Sequence, residues 1–219
     1  MIDHTLLKPY STEEDILKLC SEAVEYGFKA VCVNPSRVPL AARALAGSGV
    51  LVCAVAGFPL GASTTAVKAA EASGAVRIGA GEIDMVVNIG LLKEGKLEQV
   101  YEDIKTVVEA AAAESQASVV KVIIETCYLT DREKADACRI CERAGAGFVK
   151  TSTGFGPSGA TVEDVELIKR TVSPGIGIKA SGGIKTAEQA LSMIKAGATR
   201  IGTSSGVQIM EELLKRKKK

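Results

Sequence analysis

The chain of 219 residues has no tryptophan and one histidine, His4. A single imidazole excludes a three-histidine or two-histidine zinc site built within one chain. A Ser-His-Asp triad would have to use a residue at the extreme N-terminus. Four tyrosines and four phenylalanines are too few for the stacking platforms of single-stranded nucleic-acid binders. Charge of one sign is also missing: 27 basic against 26 acidic residues leave a formal charge of +1. That argues against a nucleic-acid partner, which needs a basic face to displace counterions. Five of the basic residues form one run at 215–219 (Lys215, Arg216, Lys217, Lys218, Lys219), so the rest of the chain is mildly acidic. No apolar run reaches the ~18 residues a membrane span needs, and no signal-peptide pattern opens the chain. The expectation is a cytoplasmic protein with reduced thiols and no membrane partner.

Six cysteines are present, none in a disulfide-framework spacing. Cys32 in AVCV and Cys53 in LVCAV read as small hydrophobes inside apolar runs. Cys138 and Cys141 have C-x-x-C spacing. They fall mid-helix without a second pair, so they read as one buried and one partly exposed thiol rather than as a metal or redox site.

What the chain does have is alternation. Short β-branched runs at 1–4, 29–33, 51–56, 83–89, 119–125, 147–151, 176–181 and 199–203 predict strands. Ala-, Glu- and Lys-rich stretches at 12–26, 37–46, 63–77, 96–115, 131–144, 161–171, 186–196 and 204–216 predict helices. Ser11, Thr12 and Glu14, Thr130 with Glu133, and Thr161 with Asp164 look like helix starts. Gly27, Gly145 and Gly197 fall where helices should stop. Eight βα units imply a parallel sheet covered by helices, and the count implies closure into a (β/α)8 TIM barrel. An open doubly wound sheet is the competitor. No composition break divides the chain, so 1–214 reads as one domain and 215–219 as a solvated, frayed tail.

Strands of a parallel sheet are buried, so charges inside them need a reason. Five stand out: Asp84 in EIDMVVN, Lys121 and Glu125 in VVKVIIE, Lys150 in GFVKT and Lys179 in GIGIKAS. Lys121 and Glu125 are an even number of residues apart, so both are expected on one face, pointing inward. They read equally as a structural ion network or as catalytic support. Lys150 and Lys179 each end a strand and lead into a Ser/Gly-rich loop, at the end of a barrel where active sites form. Two inward lysines ~5 Å apart, at an effective dielectric of ~20, repel by ~3 kcal/mol. That is roughly two pKa units, and burial pushes the same way. One amine is then expected to be neutral near pH 7 and able to attack a carbonyl, with Asp84 as the proton-handling carboxylate.

Ser181, Gly182 and Gly183, then Gly202, Thr203, Ser204 and Ser205, follow the last two strands and suit a phosphate. Gly154, Gly156 and Gly159 match G-x-G-x-x-G between a strand and a helix. The dinucleotide fingerprint also needs an acid at the end of the next strand, where this chain has Lys179. Dinucleotide binding is therefore not expected.

The segments IDHTLLKP (2–9), EIDMVVNIG (82–90), VKVIIET (120–126), GFVKTSTGF (147–155), IKASGGI (178–184) and IGTSSG (201–206) resemble the deoxyribose-phosphate aldolase family. The resemblance runs in order to about residue 206. It implies a TIM barrel and a cofactor-free, metal-independent class I aldolase. It implies reversible cleavage of 2-deoxy-D-ribose 5-phosphate to D-glyceraldehyde 3-phosphate and acetaldehyde, in a chain that forms a homo-oligomer (a dimer or tetramer). By position, Lys150 matches the Schiff-base lysine, Lys179 the second lysine and Asp84 the aspartate of the proton relay. Asp3, Lys121 and Thr153 match polar residues around that centre and are expected to bind substrate. Gly154, Gly182, Gly183, Gly202, Ser204 and Ser205 match the phosphate-binding loops. Some members reach over the site with a C-terminal tyrosine, whereas this chain ends LLKRKKK. Two other readings stay open: another Schiff-base aldolase or transaldolase of sugar phosphates, and a sugar-phosphate-binding barrel without catalysis.

Overall fold

The computed structural model describes residues 1–217. Eight parallel strands close into a barrel in sequence order, β1 pairing with both β2 and β8. They are β1 (Ile2–Leu6), β2 (Ala30–Val33), β3 (Leu51–Ala56), β4 (Glu82–Val86), β5 (Val119–Ile123), β6 (Phe148–Lys150), β7 (Gly177–Ser181) and β8 (Arg200–Thr203). The helices are α1 (Glu13–Glu25), α2 (Val38–Ala44), α3 (Thr65–Arg77), α4 (Ile89–Lys93), α5 (Leu97–Glu114), α6 (Asp131–Arg143), α7 (Val162–Thr171), α8 (Ala187–Ala196) and α9 (Gly206–Lys217). The single (β/α)8 domain matches the alternation read from the sequence.

Local chemistry explains the boundaries. Thr12, Thr130 and Thr186 each cap a helix through a reciprocal capping box, with Asp15, Glu133 and Gln189 as the third helical residue. Asp15, rather than Glu14, completes the first of these. Thr161 caps α7 by accepting from the Asp164 N–H. Two differences from the sequence reading are physical. The run 83–89 is not one strand: β4 stops at Val86, and the Asn88 side chain accepts from Leu91 N–H at 3.1 Å, starting the short helix α4. The apolar run IGLLK hid that helix. β5 likewise stops at Ile123, two residues before Glu125. At the C-terminus α9 runs through Lys217, so 215–217 continue the last helix. Lys218 and Lys219, the end of the predicted tail, lie outside the described residues.

The apolar residues divide into two clusters. The larger lies between the strands and the helices and includes Ile16, Val31, Ile83, Ile104, Val122, Val149 and Ile201. The smaller is inside the barrel, where Leu7, Ala30, Cys32, Cys53 and Val55 fill the side of β2 and β3. The rest of the interior is not apolar, and that is where the charged strand residues go.

Candidate active site

Alternation along the strands turns Asp3 of β1, Glu82 and Asp84 of β4, Lys121 of β5, Lys150 of β6, Lys179 of β7 and Arg200 of β8 into the barrel. All are buried. The ends of Lys150 and Lys179 meet on one atom. Asp84 Oδ2 accepts from Lys150 Nζ at 2.8 Å and from Lys179 Nζ at 2.7 Å. Asp84 Oδ1 takes Lys121 Nζ at 2.9 Å. Lys179 also pairs with Asp3 at 2.5 Å, and Lys121 with Glu82 at 2.7 Å. Arg200 Nη1 closes the lower layer, reaching Asp3 Oδ1 at 2.7 Å and Glu82 Oε2 at 2.9 Å.

The sequence reading has two lysines repelling each other with Asp84 nearby; the structure sets the Asp84 carboxylate between them. Burial works against charge throughout, and the partners outweigh it. Desolvation would raise the Asp84 carboxyl, yet Lys121, Lys150 and Lys179 hold it well below the usual aspartate range. Asp3 is lowered in the same way by Lys179, Lys121 and Arg200. Burial would lower Lys179, but Asp3 and Asp84 hold its ammonium above the ordinary lysine range. Lys121 is raised against the same penalty by Asp84, Asp3 and Glu82. Lys179 is therefore a firm cation beside Lys150. Four cationic side chains meet three carboxylates in this cluster. One surplus positive charge remains, and loss of one proton removes it. Lys150 has a single carboxylate contact, on an oxygen it shares, and lines the open cavity above.

That cavity, of about 330 Å³, sits at the carboxyl ends of the strands. Thr153, Gly154, Gly182, Gly183, Gly202 and Ser204 line it, along with Lys150. Asp3 and Lys121, expected to bind substrate, lie outside the lining, in the ion cluster below it. Ser205 is also outside the lining; its N–H donates to Thr203 Oγ1 at 2.9 Å and so shapes the loop that Ser204 presents. Strand-end hydroxyls tie the loops together: Ser181 Oγ donates to Ser152 O at 2.6 Å, and Thr203 Oγ1 to Ile184 O at 2.6 Å. Gly202 makes room for the second lysine, since a Cβ there would lie 2.9 Å from Lys179 Cε. The G-x-G-x-x-G spacing serves packing. A Cβ on Gly159 would fall 2.1 Å from Gly182 O, so two loop backbones touch there.

The family model for DeoC/LacD family aldolases matches residues 1–212. The chain belongs to the DeoC/LacD aldolase family. A deoxyribose-phosphate aldolase of Carboxydothermus hydrogenoformans is 63% identical over 214 residues, 98% of this aldolase and 94% of that protein. One from Thermococcus gammatolerans is 60% identical, over 96% of this chain and 93% of its own. Among solved structures, an aldolase designated QR15 superposes with a TM-score of 0.91 at 48% identity, covering 98% of this chain and 95% of its own. The deoxyribose phosphate aldolase of Aeropyrum pernix, described as a unique tetramer, gives 0.90 at 37% identity, covering 97% and 89%.

Several site residues of the aldolase escaped the sequence reading. Cys53 packs in the smaller apolar cluster but is more than a small hydrophobe: its thiol donates to Asp84 Oδ1 at 3.1 Å, and Lys121 Nζ lies 3.3 Å from its sulfur. Cys32 Sγ stands 3.9 Å from Asp84 Oδ2. Cys32, Cys53 and Asp84 are the one group of potential metal ligands that converges among the described residues. Both carboxylate oxygens of that set are already engaged by lysines. Glu82 and Arg200 sit at strand ends, where a charge reads as a boundary residue. Lys8 and Lys185 line the cavity mouth as exposed cations; both lie in or beside the motif segments, in HTLLKP and SGGIK. Glu125 does not join Lys121. It lies beyond β5 with a left-handed backbone and turns its carboxylate to Thr153.

Proposed function

We propose that this aldolase reversibly cleaves 2-deoxy-D-ribose 5-phosphate to D-glyceraldehyde 3-phosphate and acetaldehyde through a Schiff base on Lys150. The observation that carries the proposal is the shared contact of Lys150 and Lys179 on Asp84 Oδ2 beneath a glycine-lined cavity. Lys150 is the nucleophile because it alone, of the three clustered lysines, lines that cavity. Asp84 Oδ2 is placed to take the proton that the amine must shed, and Lys179 keeps that carboxylate anionic while adding a fixed positive charge beside the amine.

Attack of the Lys150 amine on C1 of the open-chain sugar forms a carbinolamine. Loss of water, with its proton supplied from the Asp84–Lys179 pair, gives an iminium. Carbon counting puts the broken bond at C2–C3: acetaldehyde keeps C1 and C2, and three carbons leave as glyceraldehyde 3-phosphate. The electron pair of that bond moves to C2 and into the iminium, leaving an enamine on Lys150. The C3 hydroxyl gives up its proton as the new aldehyde forms. Protonation at C2 and hydrolysis release acetaldehyde and restore the amine. The phosphate is assigned to the Gly182–Gly183 and Gly202–Ser204 loops, whose backbone amides present donors. Lys8 and Lys185 at the mouth add the positive field an incoming dianion needs. Binding there, far from the breaking bond, orients C1 toward the amine.

Borohydride reduction in acetaldehyde should fix a two-carbon label on Lys150, read by peptide mass spectrometry, and activity should persist in a chelator. Absence of the label from Lys150, or a label that survives Lys150→Leu, overturns the assignment. Turnover of a keto-sugar phosphate without acetaldehyde as donor would favour a transaldolase-like reaction instead. The tetrameric Aeropyrum pernix relative supports a homo-oligomer, which sedimentation would measure. Six unpaired cysteines support a reducing, cytoplasmic setting. No helix among the described residues is long and apolar enough to cross a membrane.

A further inference from the structure

One wall of the cavity is the connection from β6 to α7, and its shape is set by a side chain from just beyond the neighbouring strand β5. Glu125 is 2% exposed. Its φ of +53° makes it the one described residue other than glycine in the left-handed region. That conformation is strained for a non-glycine residue and persists where surroundings over-determine it. No cation pairs with this carboxylate among the described residues. Both of its oxygens go to one residue instead. Thr153 N–H donates to Oε1 at 3.1 Å and lies 3.3 Å from Oε2, and the Thr153 hydroxyl donates to Oε2.

The chain of contacts continues along the loop. Thr153 Oγ1 accepts from Phe155 N–H at 3.0 Å. A Cβ on Gly156 would lie 3.4 Å from Glu125 Cδ, so the loop closes down on the carboxylate. The Phe155 ring stands edge-on to Phe58, with centroids 5.2 Å apart. Thr153, Gly154 and Phe155 all line the cavity with Lys150. The hydroxyl of Thr153 has one proton and it is committed to Glu125. One acceptor position is committed to Phe155 N–H. What remains for a ligand is a single lone pair.

We propose that Glu125 is a positioning residue for the part of the substrate beyond the Schiff base. By holding Thr153 it shapes the 153–155 wall and aims an acceptor, not a donor, at a hydroxyl of the sugar chain. The inference rests on the aldolase reading above and deepens it. Acetaldehyde is short enough to need only Lys150, whereas the five-carbon phosphate ester must also fit the wall, so the two ligands separate positioning from general integrity.

The test compares them in Glu125→Ala, Glu125→Gln and Thr153→Val. Borohydride trapping of acetaldehyde on Lys150 should stay near the wild-type level in all three. In Glu125→Ala, kcat/KM for deoxyribose 5-phosphate should fall about 10–100-fold, mostly through KM. Glu125→Gln should recover much of the loss, because its amide oxygen still accepts from Thr153. Thr153→Val leaves Glu125 and the barrel in place and should reproduce the split if Glu125→Ala fails to fold. Unchanged cleavage in Glu125→Ala and Thr153→Val, or trapping and cleavage that fall together, overturns the proposal. A wild-type protein that traps no acetaldehyde would instead overturn the Schiff-base reading beneath it.

Discussion

Two regions of this molecule bury lysine against aspartate, and they do different things. Between α3 and α5, Lys68 Nζ donates to Asp103 Oδ2 at 2.6 Å, and Thr65 Oγ1 donates to Asp103 Oδ1 at 2.8 Å. The Lys68 side chain is wholly buried, one cation meets one carboxylate, and neither residue lines the cavity above Lys150. Inside the barrel the cations outnumber the carboxylates by one, three lysines press on a single aspartate, and one of them opens onto a cavity. Burial of charge is common to both. What separates a structural pair from a reactive cluster is the imbalance and the access, since a balanced, closed pair offers its amine to no ligand.

Substitutions sharpen that contrast, from the largest effect to the smallest. Lys150→Leu should abolish aldol cleavage to background while circular dichroism and the melting transition stay close to wild type; a variant that still turns over would break the contrast outright. Asp84→Asn removes the shared acceptor, and kcat should fall by about 10²–10⁴-fold. Because three lysines then lose their common partner, its melting temperature should fall as well.

Lys68→Met tests the other region. It strands Asp103 without a cation and should destabilise the fold by about 3–5 kcal/mol in urea titrations. Adding Asp103→Leu should restore most of that, and specific activity of the folded protein should be unchanged in both. If Lys68→Met lowered specific activity instead, the two regions would not be separable.

Gly202→Ala places a methyl against Lys179 Cε. Overpacking of this kind costs about 1–3 kcal/mol, and displacing that lysine should cut kcat/KM by about tenfold. The gentlest probe is pH. The Asp3 and Asp84 carboxyls are depressed by the fold, so their contribution to stability is present above about pH 4 and is lost as pH falls through their lowered values. Lys121 and Lys179 are raised, so theirs is full below about pH 10 and is lost as pH climbs through their raised values. Unfolding free energy measured against pH should therefore be flat from about pH 5 to 9 as far as these groups are concerned.

Much of this was legible before any coordinates. Period-2 and period-3.6 patterns, threonine caps and glycine stops were enough for eight βα units, because these signals are local. Lys150, Lys179 and Asp84 stood out because a charge inside a buried strand is anomalous wherever the strand goes. Less was legible where a residue's meaning depends on what lies across the barrel. Cys53 looks apolar by its neighbours in sequence, yet its sulfur faces Asp84 from the adjoining strand. Glu125 looked like a strand residue paired with Lys121, and one left-handed backbone step sends it to Thr153 instead.

The sequence by itself determined the order of the eight βα units and which charges had to be buried, since hydrophobic periodicity and capping act over a few neighbouring residues. Only closure of the barrel decided which charges share a partner. Lys121 and Lys179 come from strands 58 residues apart along the chain, and both end on the Asp84 carboxylate. Such convergence depends on strand order, register and the inward pleat acting together, and none of those is a property of any one segment.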